Sequence, residues 1–541
     1  FGNTDGHNRC GSLRYAYSVD IHGICHAAVP QLFGTVHFLS DIVAAYIYRA
    51  FHFVCYYNPP QGKKVQCFKG SCTVKKILLP ILAALLLISG LPVAAADTEA
   101  AALKLTGLDK KLTDGNHLTA AECGELKITA DGEISSLYII FHSKVQEFTI
   151  KSGEKTETVT PEFLHMLTDV SAFKSNELTV DFGGAKISDI YAFAAGSLPD
   201  FVQKWEKPLE RADILLNSSH SDDDQLFFAG LLPYYASRGC DIQVVYYTDH
   251  KNETRRRHEL LNGLWTVGIK YYPVISNFPD YYSETIEGAL KTIATEGYTE
   301  NDALGFQVEM LRRFKPQVAV SHDFNGEYGH GMHKLNAAMM KRAGEISGDK
   351  SFFSETAEKY GVYTPKKLYV HLYGENKIVM DYDTPSEFFG GKTPFEMSKL
   401  GFAEHKSQQG TWFKKWMFGK NGEITKASQI KKYSPCEYGL YFTSVGADVQ
   451  KNDMLENITL YSEQERIKAE EEAEKQRLAK EKAAEEKSKA EAAKKAQRAR
   501  KRKMIIAAVL TPMALFVIFI IAINAAVRCK AAKRRKMRGK R

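Results

Sequence analysis

Two short polar stretches of this 541-residue chain carry most of its visible chemistry. The first, Asn217-Ser218-Ser219-His220-Ser221-Asp222-Asp223-Asp224, closes an apolar run that begins at Ala212. A His with an Asp at i+3 can offer one nitrogen and one oxygen to a metal. Three consecutive Asp repel one another unless a cation or hydrogen bonds compensate. Acidic residues at a helix start also favour its dipole, so a plain cap accounts for this segment taken alone. The second stretch, His322-Asp323-Phe324-Asn325-Gly326-Glu327-Tyr328-Gly329-His330-Gly331-Met332-His333, follows the apolar run Gln317–Ser321. His330 and His333 are three apart, a spacing that predicts one face of a helical turn. Two such clusters at two strand ends are harder to read as caps. Together they offer His, Asp and His for zinc with a fourth position left for water, and a spare carboxylate to serve as base.

The surrounding pattern predicts what positions these stretches. Strands are expected at Ala212–Asn217, Asp241–Thr248, Ile269–Ile275 and Gln317–Ser321. Helices are expected at Gln225–Ser237, Glu253–Val267, near 283–295 and 302–314, and at His333–Ile346. This alternation predicts an α/β domain over 206–460, a Rossmann-like parallel sheet with helices on both faces. Lys367–Tyr373 and a longer irregular region to about 455 complete it. In open parallel sheets ligands bind at the carboxyl ends of strands, where both clusters fall. Upstream, residues 97–205 alternate short β-rich runs (Glu125–Asp131, Ser136–Ser143, Glu147–Ser152, Glu177–Gly183, Ile187–Ala194) with polar turns. They predict a small antiparallel β-sandwich, either a carbohydrate-binding module or a structural spacer.

At this point the residues resemble a known family. His220–Asp224 is similar to the His-Pro-Asp-Asp-Glu motif of the PIG-L/LmbE-like zinc deacetylases. Asn325–His333 resembles that family's Gly-Glu-Tyr-Gly-His-Pro-Asp-His. Arg256-Arg257-His258-Glu259 with Gly268 is similar to its Arg-x-x-Glu helix and following Gly. The likeness covers about residues 208–410. It implies a zinc-dependent de-N-acetylase acting on N-acetylglucosamine units of a glycan or glycoconjugate. By the same resemblance His220, Asp223 and His333 bind Zn2+, and Asp222 is the general base for the attacking water. His330 stabilises the oxyanion or protonates the leaving amine, and Arg256 holds polar groups of the substrate. Four positions depart from the motifs: Ser221 for Pro, Asp224 for Glu, Gly331 for Pro and Met332 for Asp. Ser221 and Gly331 are expected to loosen their loops. Met332 removes a carboxylate that would orient His330, a task Asp323 could take over. That departure, with the upstream β module, supports a competing reading: a catalytically inactive cell-surface glycan-binding protein on a deacetylase fold.

Other motifs fail. Gly391-Lys392-Thr393 lacks the Gly five positions earlier that a phosphate loop needs, since Ser386 stands there. His405-Lys406-Ser407-Gln408 reads equally as a pocket wall or a surface loop. The nine cysteines are scattered without a Cys-x-x-Cys pair, against a disulfide framework or a thiolate zinc site. Sixteen Lys and Arg and no acid lie from Lys494 onward, so removing that tail from a formal charge of +8 leaves −8 on the rest. The basic balance is therefore no sign of a nucleic-acid partner.

The ends predict a membrane topology. Residues 74–96 combine a basic start, the apolar run Ile77–Leu91 and an Ala-x-Ala site, the pattern of a signal peptide cut before Asp97. Residues 1–73 then read as upstream sequence outside the mature protein. Residues 463–503, rich in Ala, Glu, Lys, Arg and Gln, predict a charged helical stalk without sustained apolar heptads. Residues 504–527 are apolar and uncharged, long enough to span a bilayer. Nine Lys and Arg follow in 528–541, which places that tail in the cytoplasm and the catalytic body outside the cell membrane.

Overall fold

The computed structural model describes residues 102–250 and 253–538. The expected signal peptide and the 1–73 segment lie outside the described residues.

The N-terminal part is an antiparallel sheet of seven strands: β1 (Leu105–Thr106), β2 (Ala121–Ala130), β3 (Ser136–Phe141), β4 (Phe148–Ser152), β5 (Lys155–Val159), β6 (His165–Asp169) and β7 (Glu177–Phe193). The two strands expected at 177–183 and 187–194 are one. β7 runs through Gly183 and Gly184, both at positive φ, a conformation glycine adopts without the Cβ penalty. A register shift between Cys123 and Glu125 of β2 faces this point. Before it β7 pairs with β4, and after it with β3. β5 and β6 were not anticipated: β5 is exposed at four of its five positions and shows no apolar alternation.

The second sheet has the order β10-β9-β8-β11-β12-β14-β13. Its strands are β8 (Ile214–Ser218), β9 (Ile242–Tyr246), β10 (Val274–Ile275), β11 (Val318–Ser321), β12 (Lys367–His371), β13 (Lys377–Val379) and β14 (Glu437–Thr443). β10 to β12 are parallel, and β14 runs antiparallel to both neighbours. The expected strand at Ile269–Ile275 is thus reduced to two residues, and the region read as irregular supplies the antiparallel edge.

Side chains alternate between the two faces of this sheet, as a pleated strand requires. Leu216, Val244 and Val320 pack in one core with Leu231, Leu261 and Phe402. Leu215, Val245 and Ala319 pack in another with Ile293, Leu311 and Met340. Helices Leu231–Ala236, Thr254–Thr266 and Pro394–Glu404 serve the first face, and Ile286–Ala294, Glu300–Phe314 and Gly331–Ile346 the second. Local signals set their ends. Thr299 with Asp302, and Thr393 with Glu396, form capping boxes.

The helix expected at Gln225–Ser237 begins only at Leu231. Residues 221–230 form consecutive turns with mixed hydrogen-bond spacing, including Leu226 N–H to Asp222 O and Phe228 N–H to Asp223 O. Its apolar run Leu226-Phe227-Phe228 is fully buried beneath the polar cluster, so packing overrides helical periodicity here. At the C-terminus the stalk and the apolar segment form one continuous helix, Tyr461–Arg538. Among the described residues it is the one helix long and apolar enough to cross a membrane.

Candidate active site

Both polar stretches leave the carboxyl ends of adjacent parallel strands, β8 and β11, and meet above the sheet. His220 Nδ1, Asp223 Oδ2 and His333 Nε2 form a triangle with sides of 2.9, 3.0 and 3.1 Å. All three residues are buried. The outer nitrogens are also engaged. His220 Nε2 lies 3.0 Å from Asp280 Oδ2, and His333 Nδ1 lies 2.6 Å from Glu327 Oε2. A carboxylate can only accept, so each outer nitrogen carries a proton, and with a cation in place of the second proton each inner nitrogen offers its lone pair. Two lone pairs and a carboxylate oxygen therefore converge on one point. Tetrahedral ligands about 2.0–2.1 Å from a common ion stand about 3.3 Å apart, close to these sides. The donor set fits a zinc-like cation.

Electrostatics agree. Burial opposes a charge on His220, yet Asp280 and Asp223 outweigh it and raise its pKa to about 10. Burial likewise opposes His333, but Asp223 and Glu327 raise it to about 9. Asp223, despite burial, is held well below the usual carboxylate range by His333 and His220. The pocket is a concentration of negative charge that requires protons or a metal.

Asp222 stands beside this triangle. Arg256 on helix Thr254–Thr266 donates to its Oδ1 at 2.8 Å. Burial raises the Asp222 pKa, with Arg256 opposing. Arg256, expected to face substrate, is thus partly committed to Asp222, while its Nε is buried without a partner. Asp224 points elsewhere: its Oδ2 accepts from Gln225, and burial raises it well above its ordinary value.

His330 is the N-cap of helix Gly331–Ile346 rather than part of its first turn. It remains close, with its ring centroid 4.8 Å from that of His220 and 5.1 Å from that of His333. Its Nδ1 accepts the Met332 N–H at 3.1 Å. Burial, then His220 and His333, lower its pKa to about 3, so it is neutral with its proton on Nε2. This corrects two expectations about the departures. The Met332 backbone, not a side chain at 332, orients His330, and the Met332 side chain sits in the core. Asp323 does not take over, since its Oδ1 caps Asn325 in its own turn. Gly331 does not loosen its loop either. Its N–H donates to Ser283 O at 2.6 Å, and a Cβ there would collide with Ser283 and Thr285.

Three further residues escaped sequence reasoning. Asp280 sits in the loop after β10 with no motif around it. Glu327 lies inside the second stretch, and its carboxylate gathers His322, His333 and His371 at 2.8, 2.6 and 3.0 Å. His322 stacks on His333, and its Nε2 accepts the Ser219 N–H. Three histidines around one buried position demand a counter-charge, and that was the available signal for Glu327. Of the His405–Gln408 segment, Lys406–Gln408 forms a short 3-10 helix: His405 before it is fully buried, and the Ser407 backbone N–H donates to Glu259 Oε1 at 2.8 Å.

Residues 215–343 match the family model described as GlcNAc-PI de-N-acetylase, PIG-L. A 1D-myo-inositol 2-acetamido-2-deoxy-alpha-D-glucopyranoside deacetylase of Catenulispora acidiphila is 24% identical over 170 residues, 27% of this chain and 53% of that protein. The protein of the same description from Mycobacterium leprae is 25% identical over 164 residues, 26% of this chain and 53% of its own. The chain spans about half the length of the curated relatives it matches. Among solved structures, N,N'-diacetylchitobiose deacetylase from Pyrococcus horikoshii aligns at 15% identity and TM-score 0.31, covering 43% of this chain and 84% of that one. A deacetylase of teicoplanin biosynthesis aligns at 13% identity and TM-score 0.27, covering 43% and 99%. The match over 215–343 to the PIG-L family model encloses His220, Asp222, Asp223, Arg256, Asp280, Glu327, His330 and His333.

Proposed function

We propose that this protein is a zinc-dependent de-N-acetylase of N-acetylglucosamine-containing glycans or glycoconjugates, working at the outer face of a membrane. The convergence of three lone pairs from His220, Asp223 and His333, each imidazole locked by its own carboxylate, carries this reading. A zinc ion bound there supplies Lewis acidity toward the acetamide carbonyl and lowers the pKa of water. The chain does the rest. Asp222 takes a proton from the attacking water as it adds to the carbonyl carbon. His330 Nε2–H donates a hydrogen bond to the developing oxyanion. As the C–N bond breaks, the proton held on Asp222 passes to the departing nitrogen, leaving acetic acid and a free amine. Arg256 keeps Asp222 aimed through its 2.8 Å hydrogen bond to Oδ1. Tyr282 and Trp412 are exposed; Tyr282 meets His330 edge-on, and Trp412 packs on Tyr328 beside it. Exposed aromatics beside a polar cluster suit a sugar face.

The test is a trio of variants of the full chain. Asp223→Ala and His333→Ala lose metal, whereas Asp222→Asn keeps metal and loses turnover by about 10²–10⁴, the usual contribution of a general base. Full acetate release by Asp222→Asn from an N-acetylglucosamine conjugate would overturn the assigned roles.

A further inference from the structure

A second group of imidazoles lies apart from the active site, where the N-terminal sheet meets helix Thr254–Thr266. His117 comes from the loop before β2, His165 opens β6, and His258 belongs to the helix. One ring nitrogen from each falls within 4.8 Å of the others. The rings cluster with centroids 5.1–5.5 Å apart.

The hydrogen bonds fix where the lone pair of His165 points. Trp205 Nε1, which can only donate, gives a hydrogen bond to Gln203 Oε1 at 2.7 Å. Gln203 Nε2 donates to Asn262 Oδ1 at 2.7 Å, which confirms the amide orientation. His165 Nδ1 lies 2.8 Å from that same Oε1, so Nδ1 carries the proton and Nε2 is bare. Nε2 then faces His258 Nδ1 at 2.8 Å. The other nitrogen of His258, Nε2, is buried without a hydrogen-bond partner. His117 is half-buried and lines a cleft of about 190 Å³ together with His258, which gives an ion a path from solvent.

We propose that His117, His165 and His258 form a second metal site, which takes a divalent transition-metal ion and staples the N-terminal sheet to the helix that bears Arg256. Three imidazoles with no thiolate suit Zn2+, Ni2+ or Cu2+ over Ca2+ or Mg2+. Burial lowers the pKa of all three, with Lys406 adding to the effect on His117, so the rings are in the neutral form that ligates. The cleft also carries the carboxylates of Glu259 and Glu404, against the charges of Arg255 and Lys406. The alternative is an ordinary N–H···N hydrogen bond from His258 to His165 with no ion.

The assay is metal content of the detergent-solubilised full chain after Zn2+ loading and desalting. It is run on the wild type, His117→Ala, Asp223→Ala and the double variant. His117 is partly exposed, so its truncation leaves the core packing in place. His117→Ala should hold one equivalent less than the wild type, and the double variant one less than Asp223→Ala. Cobalt(II) gives a second readout: the visible d–d band of Asp223→Ala should vanish in the double variant while far-UV circular dichroism is unchanged. Equal metal content with and without His117, in either background, overturns the site. Equal content in the wild type and Asp223→Ala, with a loss on His117→Ala, supports this site and counts instead against the metal ligands assigned to the active site.

Discussion

Glu327→Gln is the sharpest test of how the active site is built. Glu327 Oε1 accepts from His322 Nδ1, His371 Nδ1 and the Asp323 N–H, and Oε2 accepts from His333 Nδ1. A glutamine has one accepting oxygen, and three donors compete for the Oε1 position. The amide NH2 then occupies the Oε2 position and faces the His333 Nδ1–H. Two donors cannot share that contact, so His333 must move its proton to Nε2. That proton points at Asp223 and removes a lone pair from the triangle. Losing such an outer partner weakens metal binding about 10–100-fold, or about 1.4–2.8 kcal/mol. The fold should also lose about 3 kcal/mol, since a buried charge-paired cluster has lost one partner. Chelator competition gives the dissociation constant, and thermal melting gives the stability. A variant with native circular dichroism and wild-type metal affinity would refute the tautomer argument.

Other outcomes follow from the same geometry. In metal-stripped protein His220 and His333 titrate near 10 and 9, above the ordinary 6.5, so the stability they contribute is complete below about pH 6.5 and is lost as pH rises through 9–10. The melting temperature of the stripped protein should fall across that window and that of the zinc-loaded protein should not; a flat profile for the stripped form would contradict the charge balance. Gly331→Pro sits at the first helical position, where proline fits the helix, but it deletes the hydrogen bond to Ser283 and puts a Cβ against Ser283 and Thr285, so it should destabilise by about 1–3 kcal/mol in denaturant titration. Protease added to intact cells should release an active soluble fragment by cutting within 463–503. Protection until lysis would place the catalytic body on the other side of the membrane.

The sequence exposed this site unevenly, for physical reasons. His220, Asp222, Asp223, His330 and His333 were legible because each sits at a strand end beside other polar residues, where local pattern and chemistry coincide. Asp280 was not, because its partner His220 is sixty residues away and only the fold joins them. The paired strands β8 and β11 announced themselves as apolar runs. β13 and β14 did not, since β13 is three residues long with only Ile378 buried. Leu226-Phe227-Phe228 misled, because an apolar run says that a segment is buried but not in which backbone form.

The long helix is seated at one end of the domain. Tyr461 N–H donates to Asp213 Oδ1 at 2.8 Å, Tyr461 OH donates to Lys315 O at 2.8 Å, and Arg211 pairs with Glu465. Asp213 and Lys315 lie at the entry edge of β8 and β11, whereas the catalytic cluster lies at their exit edge. With residues 504–527 in a bilayer, the helix from 463 to 503 sets a standoff of about 60 Å, at 1.5 Å per residue. The mouth of the site then opens on the side facing away from the lipid. On the proposed orientation, such a boom would suit polymers held above the membrane better than headgroups in its own bilayer. Removing about half of that rod should shift deacetylation toward sugars nearer the lipid surface, and an unchanged depth profile would count against a rigid arm. The length of a featureless charged helix would then set how far from the bilayer the site can reach.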